Sequence, residues 1–133
     1  MEINFKGLRF VVDHNDYQEF WDNFNNWENK DLNFLLEKAE KDKIFVDIGA
    51  WIGPYTLLAA KLGMKVYAFE PDKVAFEVLK KNIQLNEFKH KPKIFNFGLS
   101  KKENITYLYS NTEEFGKSES SIINYIIIII KYV

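Results

Sequence analysis

Apolar and polar residues alternate loosely from Met1 to Asp13, with Ile3, Phe5, Leu8, Phe10 and Val12 on the apolar side. This predicts a strand or a hairpin, with Gly7 near the turn. Tyr17, Phe20, Trp21, Phe24 and Trp27 recur at helical spacing and predict a helix with a core-facing aromatic stripe. Leu32, Leu35, Leu36 and Ala39 continue as a second amphipathic helix. Ile44 to Ile48 is a short apolar run, the mark of a buried parallel strand. Pro54 suits a first helical position, Tyr55 to Leu62 complete a short helix, and Gly63 closes it. Lys65 to Phe69 reads as another strand, and Asp72 can cap a helix whose apolar face carries Ala75, Val78, Leu79 and Ile83. Lys93 to Phe97 and Ile105 to Tyr109 are further strand candidates. Residues 110–121 are polar and loop-like, and an Ile-rich tail follows.

Strand, helix, strand, helix, strand predicts an α/β fold with a doubly wound, mostly parallel sheet and right-handed crossovers. Three stretches are expected: a lead-in over 1–43, a ligand-binding unit over 44–121, and the tail over 122–133.

Composition narrows the function. The 133 residues make one small domain with an ample apolar share of 47%. Net charge is −1, which disfavours a protein that holds nucleic acid by bulk positive charge. With no cysteine, thiolate zinc sites and cysteine nucleophiles are excluded, and His14 and His90 alone make no histidine-rich metal site. No metal is expected. No signal peptide stands at Met1–Phe10, and Ile122 to Ile130 is too short to span a bilayer, which takes about 20 residues. A cytoplasmic protein is the expectation. Seventeen of the 18 basic residues are Lys, a skew that an AT-rich coding sequence would produce, so lysine abundance carries little weight.

The chemistry concentrates where the strands end, since ligands of doubly wound sheets sit beyond the carboxyl ends of the strands. Gly49-Ala50-Trp51-Ile52-Gly53 follows the first parallel strand. Its glycines allow tight turning and close approach of backbone to ligand. Glu70 ends the next strand 21 residues after Gly49. An acid about 20 residues beyond such a loop can accept both hydroxyls of a ribose. The pair points to an adenosine-containing cofactor; a helix-turn cap in a non-binding domain is the bland alternative.

A dinucleotide site would need Gly-x-Gly-x-x-Gly and backbone N–H groups aimed at a pyrophosphate. Here the spacing is Gly-x-x-x-Gly, Trp51 fills the middle position, and Pro54 removes a donor. Both features disfavour an NAD-dependent oxidoreductase. S-adenosylmethionine has no phosphate and a positive sulfonium. Asp47, just before the loop, suits a cofactor bearing an ammonium group and can also brace the loop.

The ordered series Phe45-Val46-Asp47-Ile48-Gly49-Ala50-Trp51-Ile52-Gly53-Pro54, Val66-Tyr67-Ala68-Phe69-Glu70-Pro71-Asp72, Leu79-Lys80-Lys81-Asn82-Ile83-Gln84-Leu85-Asn86 and Asn96-Phe97-Gly98-Leu99-Ser100 resembles the FkbM family of class I S-adenosylmethionine-dependent methyltransferases. The resemblance covers about residues 28–121. It implies a Rossmann-like class I methyltransferase fold and S-adenosylmethionine as cofactor. Asp47, Gly49, Ala50, Trp51 and Gly53 would form the cofactor loop, Glu70 would bind the ribose, and Asn96 would lie near the adenine. Trp51 stands where Asn is frequent in that family, and either lines the pocket or packs beside it.

The same resemblance implies methylation of a hydroxyl on a sugar or another small metabolite. With the near-balanced charge no nucleic-acid partner is expected, though that balance does not exclude a local basic patch. The family's later strands, which shape the acceptor pocket, have no counterpart here, so the fold reads as truncated. A catalytically incomplete cofactor-binding remnant is the alternative. An exposed sheet edge would invite a homodimer. No residue stands out as a catalytic base: His14, Asp16 and His90 read as exposed polar residues.

Overall fold

The structure, a computed structural model, describes residues 1–27 and 29–101 and the two short strands Tyr109–Ser110 and Ser120–Ser121. The chain opens with an antiparallel hairpin, β1 (Glu2–Phe5) and β2 (Leu8–Val11). Lys6 and Gly7 form its turn, both at positive φ (+49° and +90°), as a two-residue type I′ connection requires. Ile3, Phe5, Phe10 and Val12 are buried.

The aromatic stripe does not make one continuous helix. α1 (Gln18–Asp22) gives way to a single 3₁₀ turn at Phe24–Asn26. The Asn23 side chain donates to the Glu19 carbonyl at 2.9 Å, a local bond that competes with helix continuation. The stripe still faces inward: Phe24 lies edge-on to Phe5 and Phe10, at centroid distances of 5.5 and 5.8 Å. α2 (Asn29–Lys38) follows.

The central elements follow the predicted order, but the Ile44–Ile48 strand is not the buried one expected: only one of its faces is covered among the described residues, and Ile44 and Val46 on the other are exposed. β3 (Ile44–Ile48), α3 (Pro54–Lys61), β4 (Lys65–Phe69), α4 (Lys73–Gln84) and β5 (Lys93–Phe95) alternate in order. The strands form a parallel sheet in the order β3-β4-β5. Pro54 stands in the first turn of α3, and Asp72 caps α4 by accepting the Val74 and Ala75 N–H groups at 2.8 and 3.3 Å. β5 ends at Phe95, two residues earlier than expected.

Register places Phe45, Asp47, Val66, Ala68 and Ile94 on one face of the sheet, and Ile44, Val46, Tyr67, Phe69 and Phe95 on the other. The first face is the core, joined with the hairpin, α3 and α4 in one apolar cluster. On the second face Ile44 is 63% exposed and Val46 48%.

Two expectations fall wholly or partly beyond the described residues. Of the strand candidate Ile105 to Tyr109, only Tyr109 is described. It belongs to β6 (Tyr109–Ser110), which pairs antiparallel with β7 (Ser120–Ser121), so the stretch read as loop contributes a strand at each end. The Ile-rich tail from Ile122 lies outside the described residues.

Candidate functional site

The carboxyl ends of β3, β4 and β5 bring Asp47, the Gly49–Gly53 loop, Glu70 and Asn96 to one edge of the sheet. The loop turns through three residues at positive φ: Gly49 at +78°, Trp51 at +50° and Gly53 at +98°. At Gly49 only the dihedral demands glycine, because an added Cβ would meet nothing within 4 Å. At Gly53 the space is also closed: a Cβ would stand 2.6 Å from Leu79 Cδ1, so this glycine lets α3 start against α4.

Trp51 is a bulky residue in a conformation that Asn tolerates and most L-residues avoid. A hydrogen bond and ring contacts from described residues hold it there. Its N–H donates to Glu70 Oε2 at 2.7 Å, and its ring meets Phe20 and Tyr17 edge-on at 4.7 and 5.6 Å. The indole is thus the floor on which the N-terminal segment rests.

Glu70 is buried, 6% exposed. Besides Trp51 it accepts the Asp72 N–H on Oε1 at 2.7 Å. Burial pushes its carboxyl above the ordinary range, and the two N–H groups partly offset that. Each oxygen keeps a second lone pair for a further donor. Asp47 lies deeper. Thr56 donates its hydroxyl to Oδ2 at 2.5 Å, and burial lifts the carboxyl to about 6. Ala50 is buried under the loop. Asn96 donates to the Glu70 carbonyl at 2.8 Å and so fixes the exit of β4.

Four of the loop's five N–H groups are spent internally. Gly49 and Ala50 both donate to the Phe69 carbonyl, at 2.9 and 3.0 Å, Trp51 to Glu70, and Gly53 to the Ala50 carbonyl at 2.9 Å. Pro54 has none to give. A pyrophosphate needs such donors free. Two carboxylates and a donor-poor loop instead complement a ligand with hydroxyls and positive charge, which is the chemistry of S-adenosylmethionine.

His14 and Asp16 lie on the segment between β2 and α1, where the His14 carbonyl accepts the Tyr17 N–H at 3.0 Å. His90 is not simply solvated: it pairs with Asp42 at 2.5 Å, away from the glycine loop. Among the described residues no cluster of three or more His, Asp or Glu could hold a metal ion, and no helix is long and apolar enough to cross a membrane.

Three bracing side chains escaped the sequence reading: Thr56, Asn82 and Asn86. The two asparagines carried a signal. Ala75, Leu79 and Asn82 follow helical spacing on the inner face of α4, Asn86 continues that spacing just past its end, and a polar residue on such a face implies a buried hydrogen bond.

Residues 3–113 match the family described as TRM5/TYW2 methyltransferase domain. The chain belongs to that family. A stretch of 57 residues is 39% identical to the tRNA (guanine(37)-N(1))-methyltransferase Trm5b of Methanocaldococcus jannaschii, covering 43% of this chain and 17% of that protein. Among solved structures, the transferase PH0793 of Pyrococcus horikoshii superposes with a TM-score of 0.54 at 24% identity, over 74% of this chain and 36% of that one. An S-adenosylmethionine-dependent methyltransferase of Agrobacterium tumefaciens superposes at 0.50 with 19% identity, over 72% of this chain and 31% of that one. These two likenesses bear out the Rossmann-like methyltransferase fold. The chain spans about a sixth of the curated relative's length.

The family corrects two expectations. The FkbM resemblance does not hold at the level of family, and the sugar or small-metabolite acceptor falls with it. The quoted motifs serve the loop, its bracing acid and the helix behind them, which any phosphate-free adenosyl site on this fold needs. They say nothing of the acceptor. The expectation of no nucleic-acid partner is also overturned, by a TRM5/TYW2 match and a relative named for its tRNA substrate. Net charge misled because a sum near zero over a whole chain does not exclude a local basic patch.

Proposed function

We propose that the chain is the cofactor-binding part of a tRNA methyltransferase that transfers a methyl group from S-adenosylmethionine to N1 of a guanine. The observation that carries this reading is the match over residues 3–113 to the TRM5/TYW2 methyltransferase domain, and the 39% identity to the Methanocaldococcus enzyme supports the guanine.

Bound at the sheet edge, S-adenosylmethionine would supply a methyl group on a sulfonium, open to in-line displacement. The residues of this chain do the holding. Glu70 accepts the ribose hydroxyls with the lone pairs left by Trp51 and Asp72. Asp47 supplies negative charge beneath the loop for the cationic end. Gly49, Ala50, Trp51 and Gly53 shape the floor, and Asn96 sets the edge beside the adenine. Methylation at guanine N1 also requires that its proton be accepted. Asp47 is committed to Thr56 of α3 and Glu70 to Trp51 and Asp72, so that role is assigned to neither.

The test offers labelled cofactor and two tRNA transcripts, one with guanine and one with adenine at position 37, beside a panel of sugars. Label transferred to the guanine transcript alone is expected. Label on a sugar with none on tRNA would overturn the reading.

A further inference from the structure

The side chain of Asn82 is fully buried in α4 and joins two segments far apart in sequence. Its Oδ1 accepts the Asp13 N–H at 2.7 Å, and its Nδ2 donates to the Ile52 carbonyl at 2.9 Å. The first partner can only donate and the second can only accept. A side chain that does both in one plane is an amide. Leu would fill the space and leave both backbone groups unpaired; Asp could take the Asp13 N–H but has nothing to give Ile52.

One turn further along, Asn86 repeats the device on the hairpin alone. Its Oδ1 accepts the Val11 N–H at 2.8 Å, and its Nδ2 donates to the Val11 and Asn82 carbonyls, both at 2.7 Å. Lys81 adds an ion pair to Asp13 at 2.6 Å. Of these three residues, two in α4 and Asn86 just beyond it, Asn82 is the one with a bond to the glycine loop. The segment it anchors leads within four residues to Tyr17, whose ring meets Trp51. Loop and lead-in are therefore joined through Asn82 at Ile52 and through the Tyr17 and Phe20 rings at Trp51.

We infer that Asn82 is a positioning residue for the cofactor loop, fixing the Gly49–Gly53 loop and the Asp13–Tyr17 segment as one unit. The inference deepens the proposed function, since the loop it positions is the one assigned to S-adenosylmethionine. Asn86 and Lys81 hold the same lead-in without touching the loop, so they supply the comparison.

Amide hydrogen exchange in the loop, at Trp51 and Gly53, is measured in the full chain for wild type, Asn82→Ala, the milder Asn82→Ser, and Asn86→Ala, at a temperature where each is folded. S-adenosylhomocysteine affinity is measured in parallel. Asn82→Ala or Asn82→Ser should speed loop exchange by about tenfold and weaken the ligand by about tenfold, the scale of one lost buried hydrogen bond. Asn86→Ala should lower thermal stability yet leave loop exchange within about twofold of wild type. Equal loop exchange in the Asn82 and Asn86 variants would overturn the inference. If wild type binds no S-adenosylhomocysteine, the cofactor reading fails, and loop exchange still decides the role of Asn82.

Discussion

Glu70 Oε2 accepts the Trp51 N–H at 2.7 Å, so the acid that ends β4 also pins the left-handed residue at the crown of the glycine loop. One side chain thus does two jobs: it fixes the loop from below and keeps lone pairs for a ligand. Glu70→Ala removes both. It should weaken S-adenosylhomocysteine by about 1.5–3 kcal/mol, the range for hydrogen bonds to a charged group, and lower the melting temperature as well. Calorimetric titration and thermal unfolding of the same sample check this. Unchanged affinity would remove Glu70 from the ribose site.

The loop dihedrals give a stability order. Trp51 sits at φ +50° and is held by ring contacts to Phe20 and Tyr17. Trp51→Asn loses the ring contacts but tolerates the dihedral; Trp51→Val loses the contacts and adds a β-branched clash. Wild type should be most stable and the Val variant least, with about 1–2 kcal/mol between Asn and Val. Denaturant unfolding reads the order, and a Val variant as stable as the Asn variant would contradict the loop geometry.

The two loop glycines should differ for a stated reason. Gly49→Ala meets only the dihedral penalty, about 1–2 kcal/mol. Gly53→Ala meets that penalty and the Leu79 Cδ1 atom 2.6 Å from its new Cβ. It should cost more, and a double-mutant cycle with Leu79→Ala should recover the steric part but not the dihedral part. Equal costs at the two glycines would mean that the α3–α4 contact is looser than described.

The fold was legible because its signals are local and periodic. Ile44 to Ile48, Pro54, Asp72 and the apolar face of α4 each report their own element, and each stands where the pattern places it. The site's location was legible for the same reason, since Gly49 and Glu70 mark strand ends. Its bracing was not. Asn82 meets Asp13 and Ile52 at separations of 69 and 30 residues, and periodicity carries no information about such pairings. The break at Asn23 was missed because a side-chain bond to Glu19 overrides a spacing that favours helix. The acceptor class was illegible at this edge, where the residues described are the ones proposed to hold the cofactor.

The buried Asp47 predicts a pH dependence. Its folded carboxyl titrates at about 6, above its ordinary 3.8. The folded state therefore binds the proton more tightly. Asp47's contribution to stability is full below about 4 and is lost as pH rises through 6. Glu70 shifts in the same direction, while exposed Asp42, held near 2 by Lys89 and His90, acts oppositely, its contribution being lost as pH falls through about 2. Asp47→Asn cancels only the Asp47 part. Relative to that variant, wild type should lose about 2–3 kcal/mol between pH 4 and pH 7 in denaturant unfolding. A difference that stays flat across this range would place Asp47 in contact with water.

The most direct test of the central claim is a calorimetric titration of the chain with S-adenosylhomocysteine and, separately, with NAD. Two carboxylates at the sheet edge and a loop that spends four of its five N–H groups on Phe69, Glu70 and Ala50 predict saturable binding of one S-adenosylhomocysteine per chain and no binding of NAD. Saturable NAD binding with none for S-adenosylhomocysteine would contradict the account.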